Sequence, residues 1–278
     1  MQELTGLRFK RLLLTGAAGT LGRMLRPRMK RYCETLRVSD LSAMDPAGEG
    51  EEVVVAPLED EAAMYELLDG VDAVLHFGGV SIEKPFSTVL PANIVGAYNL
   101  YEAARRRGTK RIVFASSNHV TGFYGQGETI KAHVVPRPDT YYGLSKAFGE
   151  NLAQFYFDRH GLETVTIRIG SCLPEPVDRR QLSSWISHDD MERLLVAALS
   201  APVVGHSIVY GCSDNRTTWW DNSQGHHVGY RPQDSSEPWR AAIEAKQGAV
   251  DPTRPEARYQ GGGFVVLGPF DFAGQGAK

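Results

Sequence analysis

The sequence predicts an α/β fold in which a parallel sheet is covered by helices on both faces. Three observations predict it. Six apolar strand patterns are each followed by a helical pattern. A glycine-rich turn joins the first strand to the first helix, and a polar cluster ends the fifth strand.

The first strand is F-K-R-L-L-L-T at 9–15. It runs into Gly16-Ala17-Ala18-Gly19-Thr20-Leu21-Gly22, and Leu21, Met24, Leu25 and Met29 then recur at helical spacing. Glycines there let the backbone approach a pyrophosphate, which the free N–H groups and positive dipole end of the helix attract. The spacing is G-x-x-G-x-x-G. A short second strand, 36–39, ends at Asp40. A carboxylate at that place accepts both ribose hydroxyls of an adenosine and repels a 2′-phosphate, favouring NAD over NADP; it would also serve as a helix cap. A third strand spans 53–55, and Asp60 caps the helical pattern after it. The fourth, 72–77, ends in Gly78-Gly79, with His76 expected as a satisfied strand-end histidine. A long helix is predicted over 91–107 and a fifth strand over 110–115, ending in Ser116-Ser117-Asn118-His119. Such a polar strand end is where parallel α/β sheets place ligands.

The next helix, 140–160, carries Tyr142 and Lys146. Four residues apart, they share one helix face. A phenol is a poor base near neutrality, and a neighbouring ammonium is expected to lower its pKa and make it a proton acceptor for an alcohol. A sixth strand spans 164–169, a helix 188–199 and a late strand 207–210. The pattern then degrades. Helix is expected around 238–246, a terminal strand or extended segment at 261–267 and a frayed tail at 275–278.

These units make a Rossmann-type doubly wound parallel sheet with a small C-terminal substrate lobe. The expected division is a nucleotide-binding core at 1–170, continued by 186–212, and a lobe at 171–185 and 213–278. At 278 residues the chain is long enough for both parts, and a net charge of -3 supplies no basic footprint for nucleic acid. Three scattered cysteines argue against a disulfide framework or structural zinc and fit a reducing compartment. No seven-residue apolar leader core and no run of about 20 apolar residues is present, so cytosol is the expectation.

The motifs T-G-A-A-G-T-L-G, H-F-G-G, N-I-V-G-A-Y-N-L-Y-E-A-A-R, F-A-S-S-N-H and Y-G-L-S-K, with Asp40, resemble those of the extended short-chain dehydrogenase/reductases in order and spacing. Within that family G-G-V-S-I-E-K-P-F, R-I-G-S-C-L-P-E-P, S-S-W-I-S-H-D-D and W-W-D-N-S look like the uronate dehydrogenases over nearly the whole chain. The resemblance implies NAD-dependent oxidation of the C1 hemiacetal of glucuronate or galacturonate to a lactone. It implies catalysis by Tyr142, Lys146 and Ser117. It implies a cofactor shell of Gly16, Gly19, Thr20, Leu21, Gly22, Asp40 and Leu41, continued by Leu58, Phe77, Gly78, Gly79, Asn93, Tyr142, Lys146 and Ile169. A substrate shell of Ser81, Ser117, Asn118, His119, Tyr142, Ser171 and Arg180 follows, with no metal. An arginine fork suits a carboxylate, and the register of the resemblance selects Arg180 over Arg179. Pro57 stands where the family has an aspartate that contacts adenine. The loop 123–138 has no confident alignment.

A nucleotide-sugar epimerase or dehydratase shares this core and the Tyr/Lys pair, but needs a larger C-terminal domain. An NAD-sensing regulator need not keep Tyr142, Lys146 and Ser117 together. The partners expected are a small uronic acid and, by analogy with folds that associate through helices flanking the sheet, further copies of the chain; neither nucleic acid nor membrane is expected.

Overall fold

The computed structural model describes residues 9–248 and 251–268. The expected frayed tail at 275–278 lies outside them. In chain order the elements are β1 (Phe9–Thr15), α1 (Thr20–Met29), β2 (Cys33–Asp40), β3 (Glu51–Val55), α2 (Glu61–Leu67), β4 (Ala73–His76), α3 (Phe86–Val89), α4 (Gly96–Arg107), β5 (Arg111–Ser117), β6 (Ile130–Lys131), α5 (Tyr141–His160), β7 (Glu163–Ile169), β8 (Ser171–Cys172), α6 (Gln181–Ser184), β9 (Trp185–Ile186), α7 (His188–Ser200), β10 (His206–Gly211), β11 (Trp220–Asp221), α8 (Arg240–Gln247) and α9 (Pro255–Arg258).

The main sheet has seven parallel strands in the order β10-β7-β5-β4-β1-β2-β3. Strand order reverses between β1 and β4, and ligands of open α/β sheets bind at the carboxyl ends beside that point. Alternation along β1 shows why both faces are covered. Leu12 and Leu14 enter one core with Leu25, Val38 and Leu194, whereas Leu13 enters the other with Leu100, Tyr101 and Phe114. Asp60 caps α2 through the N–H of Ala63, and the late strand joins the sheet as its edge.

Two expectations are corrected. The helix predicted over 91–107 begins at Phe86, and its Leu90–Val95 part is a π-helical turn. The segment expected as a terminal strand or extended segment is instead a 3₁₀ turn, Gly262–Val266, because Gly262 adopts φ 61°, outside strand geometry. The loop before α5, counted with the core by sequence, bonds to the C-terminal part of the chain. Its β6 pairs with β11, and Gln260 Nε2 donates to the carbonyls of Gly125 and Glu128. Among the described residues no helix is long and apolar enough to cross a membrane.

Candidate active site

A cavity of about 590 Å³ opens at the carboxyl ends of the strands, along the reversal point. Its floor is the glycine turn. Gly16 has φ 72°, and a Cβ there would lie 2.5 Å from the backbone of Phe77, so only glycine lets the turn touch the end of β4. At Gly22 a Cβ would sit 2.1 Å from the Gly16 carbonyl. Helix α1 starts after Gly19 with no side-chain cap, which leaves its first N–H groups facing the cavity for an anion. Asp40 closes this side. Its carboxylate accepts from the N–H of Ala18 at 3.0 Å and from Ser42 N–H at 2.9 Å, tying the turn to the end of β2.

The chemistry sits at the ends of β5 and α5. Thr140 caps α5 through the N–H of Gly143, and the buried Glu83 accepts from Tyr142 N–H at 2.8 Å. Tyr142, Lys146, Ser117, Asn118 and His119 are all buried around the same cavity. In this structure burial, rather than the Lys146 charge, is the larger influence on Tyr142. Burial pushes Tyr142 up to about 12, against a hydrogen bond from Ser117 that pulls it down. Lys146 Nζ is 5.8 Å from the centre of the phenol ring and donates instead to the Ala115 carbonyl at 2.8 Å. Burial pushes Lys146 itself down to about 8. His76 is satisfied by Thr15 Oγ1 at 2.8 Å, and burial holds it down to about 3, so it is neutral.

Among the described residues, Arg180 has only neutral hydrogen-bond partners. Its Nε donates to the Gln260 carbonyl at 2.7 Å, and Nη1 reaches Ser171 Oγ at 3.3 Å and Ser184 Oγ at 3.5 Å. With its amide turned to donate to the Ile169 carbonyl, Asn118 accepts from Arg180 Nη2 at 2.6 Å. Burial lowers the Arg180 pKa although Asp178 and Asp139 raise it. Arg179 points elsewhere, to the carbonyls of Glu244 and Gly248. Among the described residues no cluster of histidine, cysteine and carboxylate groups could hold a metal.

The chain matches the NAD dependent epimerase/dehydratase family over residues 12–188. A uronate dehydrogenase of Pseudomonas putida is 58% identical over 95% of this chain and 98% of its own. Its counterpart in Pseudomonas syringae pv. tomato is 57% identical over 94% and 95%. The chain belongs to the NAD dependent epimerase/dehydratase family. A crystal structure of uronate dehydrogenase from Agrobacterium tumefaciens, a mutant complexed with NAD, superimposes with a TM-score of 0.91 at 50% identity, covering 94% of this chain and 98% of that one. The family-type cofactor cleft therefore has a near-complete structural counterpart solved with a dinucleotide.

Of the residues expected around the cofactor, Gly16, Gly19, Thr20, Leu21, Gly22, Asp40, Leu41, Leu58, Phe77, Gly78, Gly79, Tyr142, Lys146 and Ile169 line the cavity. Asn93 does not. Its amide is consumed by both backbone groups of Val80 and by Ser145 Oγ, while Ala92 from the same π turn reaches the wall. Of the substrate set, Ser81, Ser117, Asn118, His119 and Tyr142 line it; Ser171 and Arg180 stand behind Asn118. Sequence reasoning passed over Phe264, which lines the cavity and stacks on His119 with 3.8 Å between ring centres. It also passed over Glu83 and Asp139, which act through backbone and ring contacts. The run Gly261-Gly262-Gly263 was the available signal: a Cβ on Gly262 would lie 2.4 Å from Arg180 Cδ, a closeness that a terminal strand would not require.

Proposed function

We propose that the protein oxidises the C1 hemiacetal hydroxyl of a hexuronate with NAD. The reading rests on one observation above others: a near-full-length likeness to uronate dehydrogenases, around a cavity backed by an arginine with no carboxylate bonded to it. The residues fit the dinucleotide. The glycine turn and uncapped α1 suit its pyrophosphate, and Asp40 suits an unphosphorylated ribose. Bound NAD supplies the acceptor for the hydride that leaves C1.

The chain's own residues do the rest. Ser117 and Tyr142 receive the C1 hydroxyl between them, and Tyr142 takes its proton. The ring oxygen stays on C1, so the product is a lactone. Lys146 holds the nicotinamide ribose and, as a cation, stabilises the phenolate that burial alone disfavours. Arg180 turns its guanidinium toward the substrate carboxylate, and Ser81, Asn118, His119 and Ser171 take sugar hydroxyls. Cys172, Leu173 and Phe264 line the wall on the substrate side. A second reading, a nucleotide-sugar epimerase, lacks the room: the C-terminal part packs Phe264 against His119 rather than leaving space for a nucleotide.

The test is Tyr142→Phe. It should reduce uronate-dependent NADH formation by about 10³-fold or more while leaving NAD affinity unchanged; ordinary turnover in that variant would sink the base assignment. We also propose a homo-oligomer. Phe86 and Tyr98 on the α3–α4 helix stand exposed beside the exposed Tyr141, Leu144, Phe148 and Phe155 of the adjoining α5, an apolar face of the kind that associates.

A further inference from the structure

The His119 ring is held from two sides and its backbone is pinned as well. Its Nδ1 lies 2.7 Å from Asp139 Oδ2, and both side chains are buried. Phe264 stacks on its face at an interplanar angle of 18°. Its own carbonyl is so close to Gly143 that a Cβ there would sit 2.4 Å away. Asp139 is fixed just as firmly. Thr140 Oγ1 donates to Oδ1 at 2.9 Å, and a Cβ on Gly122 or Gly261 would lie 1.9 or 2.0 Å from Oδ2. The carboxylate therefore fills a slot made by two glycines more than a hundred residues apart in sequence.

An ionised carboxylate only accepts hydrogen bonds, so the proton on a neutral His119 must sit on Nδ1. Nε2 then carries a lone pair. It has no hydrogen-bond partner among the described residues, and the ring lines the cavity beside Tyr142, 6.0 Å away between ring centres. The charged groups around the ring are Asp139, Glu83 and Arg180; burial and the Arg180 charge outweigh the two carboxylates and hold the ring pKa below its usual value.

We propose that Asp139 is a positioning residue that makes His119 an obligate hydrogen-bond acceptor for one ring hydroxyl of the sugar. The site would then select uronates that keep a free hydroxyl at that carbon. A histidine with the opposite tautomer would offer a donor there, which a hydroxyl can satisfy only by giving up its own donor role to a different group. This inference rests on the uronate reading for its substrate but not for its tautomer.

The test pairs Asp139→Asn with 2-, 3- and 4-deoxy uronates. On the parent uronate the variant should lose about 30-fold in kcat/KM, the scale of one buried hydrogen bond to the wrong partner, with NAD affinity unchanged. On one of the three deoxy sugars the wild type should already be slow, and the variant should match it within about threefold, because the hydroxyl they would quarrel over is gone. Equal losses on all three deoxy sugars would overturn the proposal. Two-bond ¹H–¹⁵N correlations on the ¹⁵N-histidine-labelled wild type give an answer that does not depend on the variant folding. The Nδ1–H tautomer is expected across neutral pH, and an Nε2–H tautomer would reject the idea. If the wild type oxidised no uronate at all, the functional reading would fail while the tautomer result still stood.

Discussion

Two enclosed arginines divide the labour of this molecule. Arg168, 1% exposed, lies in β7 and forms a two-pronged pair with Glu150, at 2.9 and 2.7 Å, with further bonds to the Ala132 carbonyl and the Tyr210 hydroxyl. Those partners raise its pKa in spite of burial. Arg180, a dozen residues on, gathers a carbonyl, two serine hydroxyls and an amide, and its pKa falls. One charge is neutralised inside the protein and fastens α5 to the sheet. The other is oriented by dipoles and left without a counter-charge, which is the state in which a guanidinium can still gain from a ligand's carboxylate.

That contrast can be broken in order of effect. Arg180→Met should lower kcat/KM for a uronate by about 10³-fold while changing that for the matching neutral aldose by less than about threefold; a desolvated, doubly bonded ion pair is worth several kcal/mol to binding. Steady-state assays on both sugars decide it, and equal losses would reject the clamp. Its stability should fall by about 1–3 kcal/mol, because the buried Gln260 carbonyl and the Asn118 amide each lose their donor although no ion pair is cut. Glu150→Gln should do the reverse. It strands Arg168 and should cost about 3–5 kcal/mol, seen as a fall in Tm of roughly 10 °C, with KM for uronate nearly unchanged.

Lys146 sharpens the contrast as a third enclosed cation. Among the described residues it has one carbonyl acceptor and no carboxylate partner. Its folded pKa of about 8 lies below the ordinary lysine value of 10.5. The unfolded chain therefore binds more protons between those two values, and the sign of linkage makes the wild type gain stability as pH rises through that window. Lys146→Met removes the cation, so it should abolish turnover yet stabilise the fold at pH 7 by about 1–3 kcal/mol. Urea unfolding at pH 7 and pH 10 should show that advantage shrinking; a constant advantage would place the Lys146 pKa elsewhere.

Features made by neighbours in sequence were legible in the sequence. The glycine turn, Asp40 at the end of β2, the capped start of α2 and the polar end of β5 each depend on a few consecutive residues, and the parallel sheet follows from their repetition. What the spacing of Tyr142 and Lys146 does not carry is burial, which pushes the phenol up and the ammonium down. The resemblance puts Asn93 in the cofactor shell, and no local pattern reveals that Val80 and Ser145 consume its amide. Asp139 and Phe264 become meaningful only when the C-terminal segment folds back over His119. The glycines that make this approach possible look, in a linear reading, like the edge of a strand.

The carbonyl that orients Arg180 belongs to Gln260, 80 residues further along the chain. Gln260 is in turn fastened to Trp220 and to the loop at Gly125 and Glu128. On the ribosome, every cavity-lining residue from Thr15 to Leu173 has emerged before Gln260 is made. A growing chain can thus assemble its dinucleotide cleft well before its arginine is aimed. Under the role proposed for Arg180, recognition of the acid group is the last competence the molecule acquires, and the first that a nick ahead of Gln260 would remove.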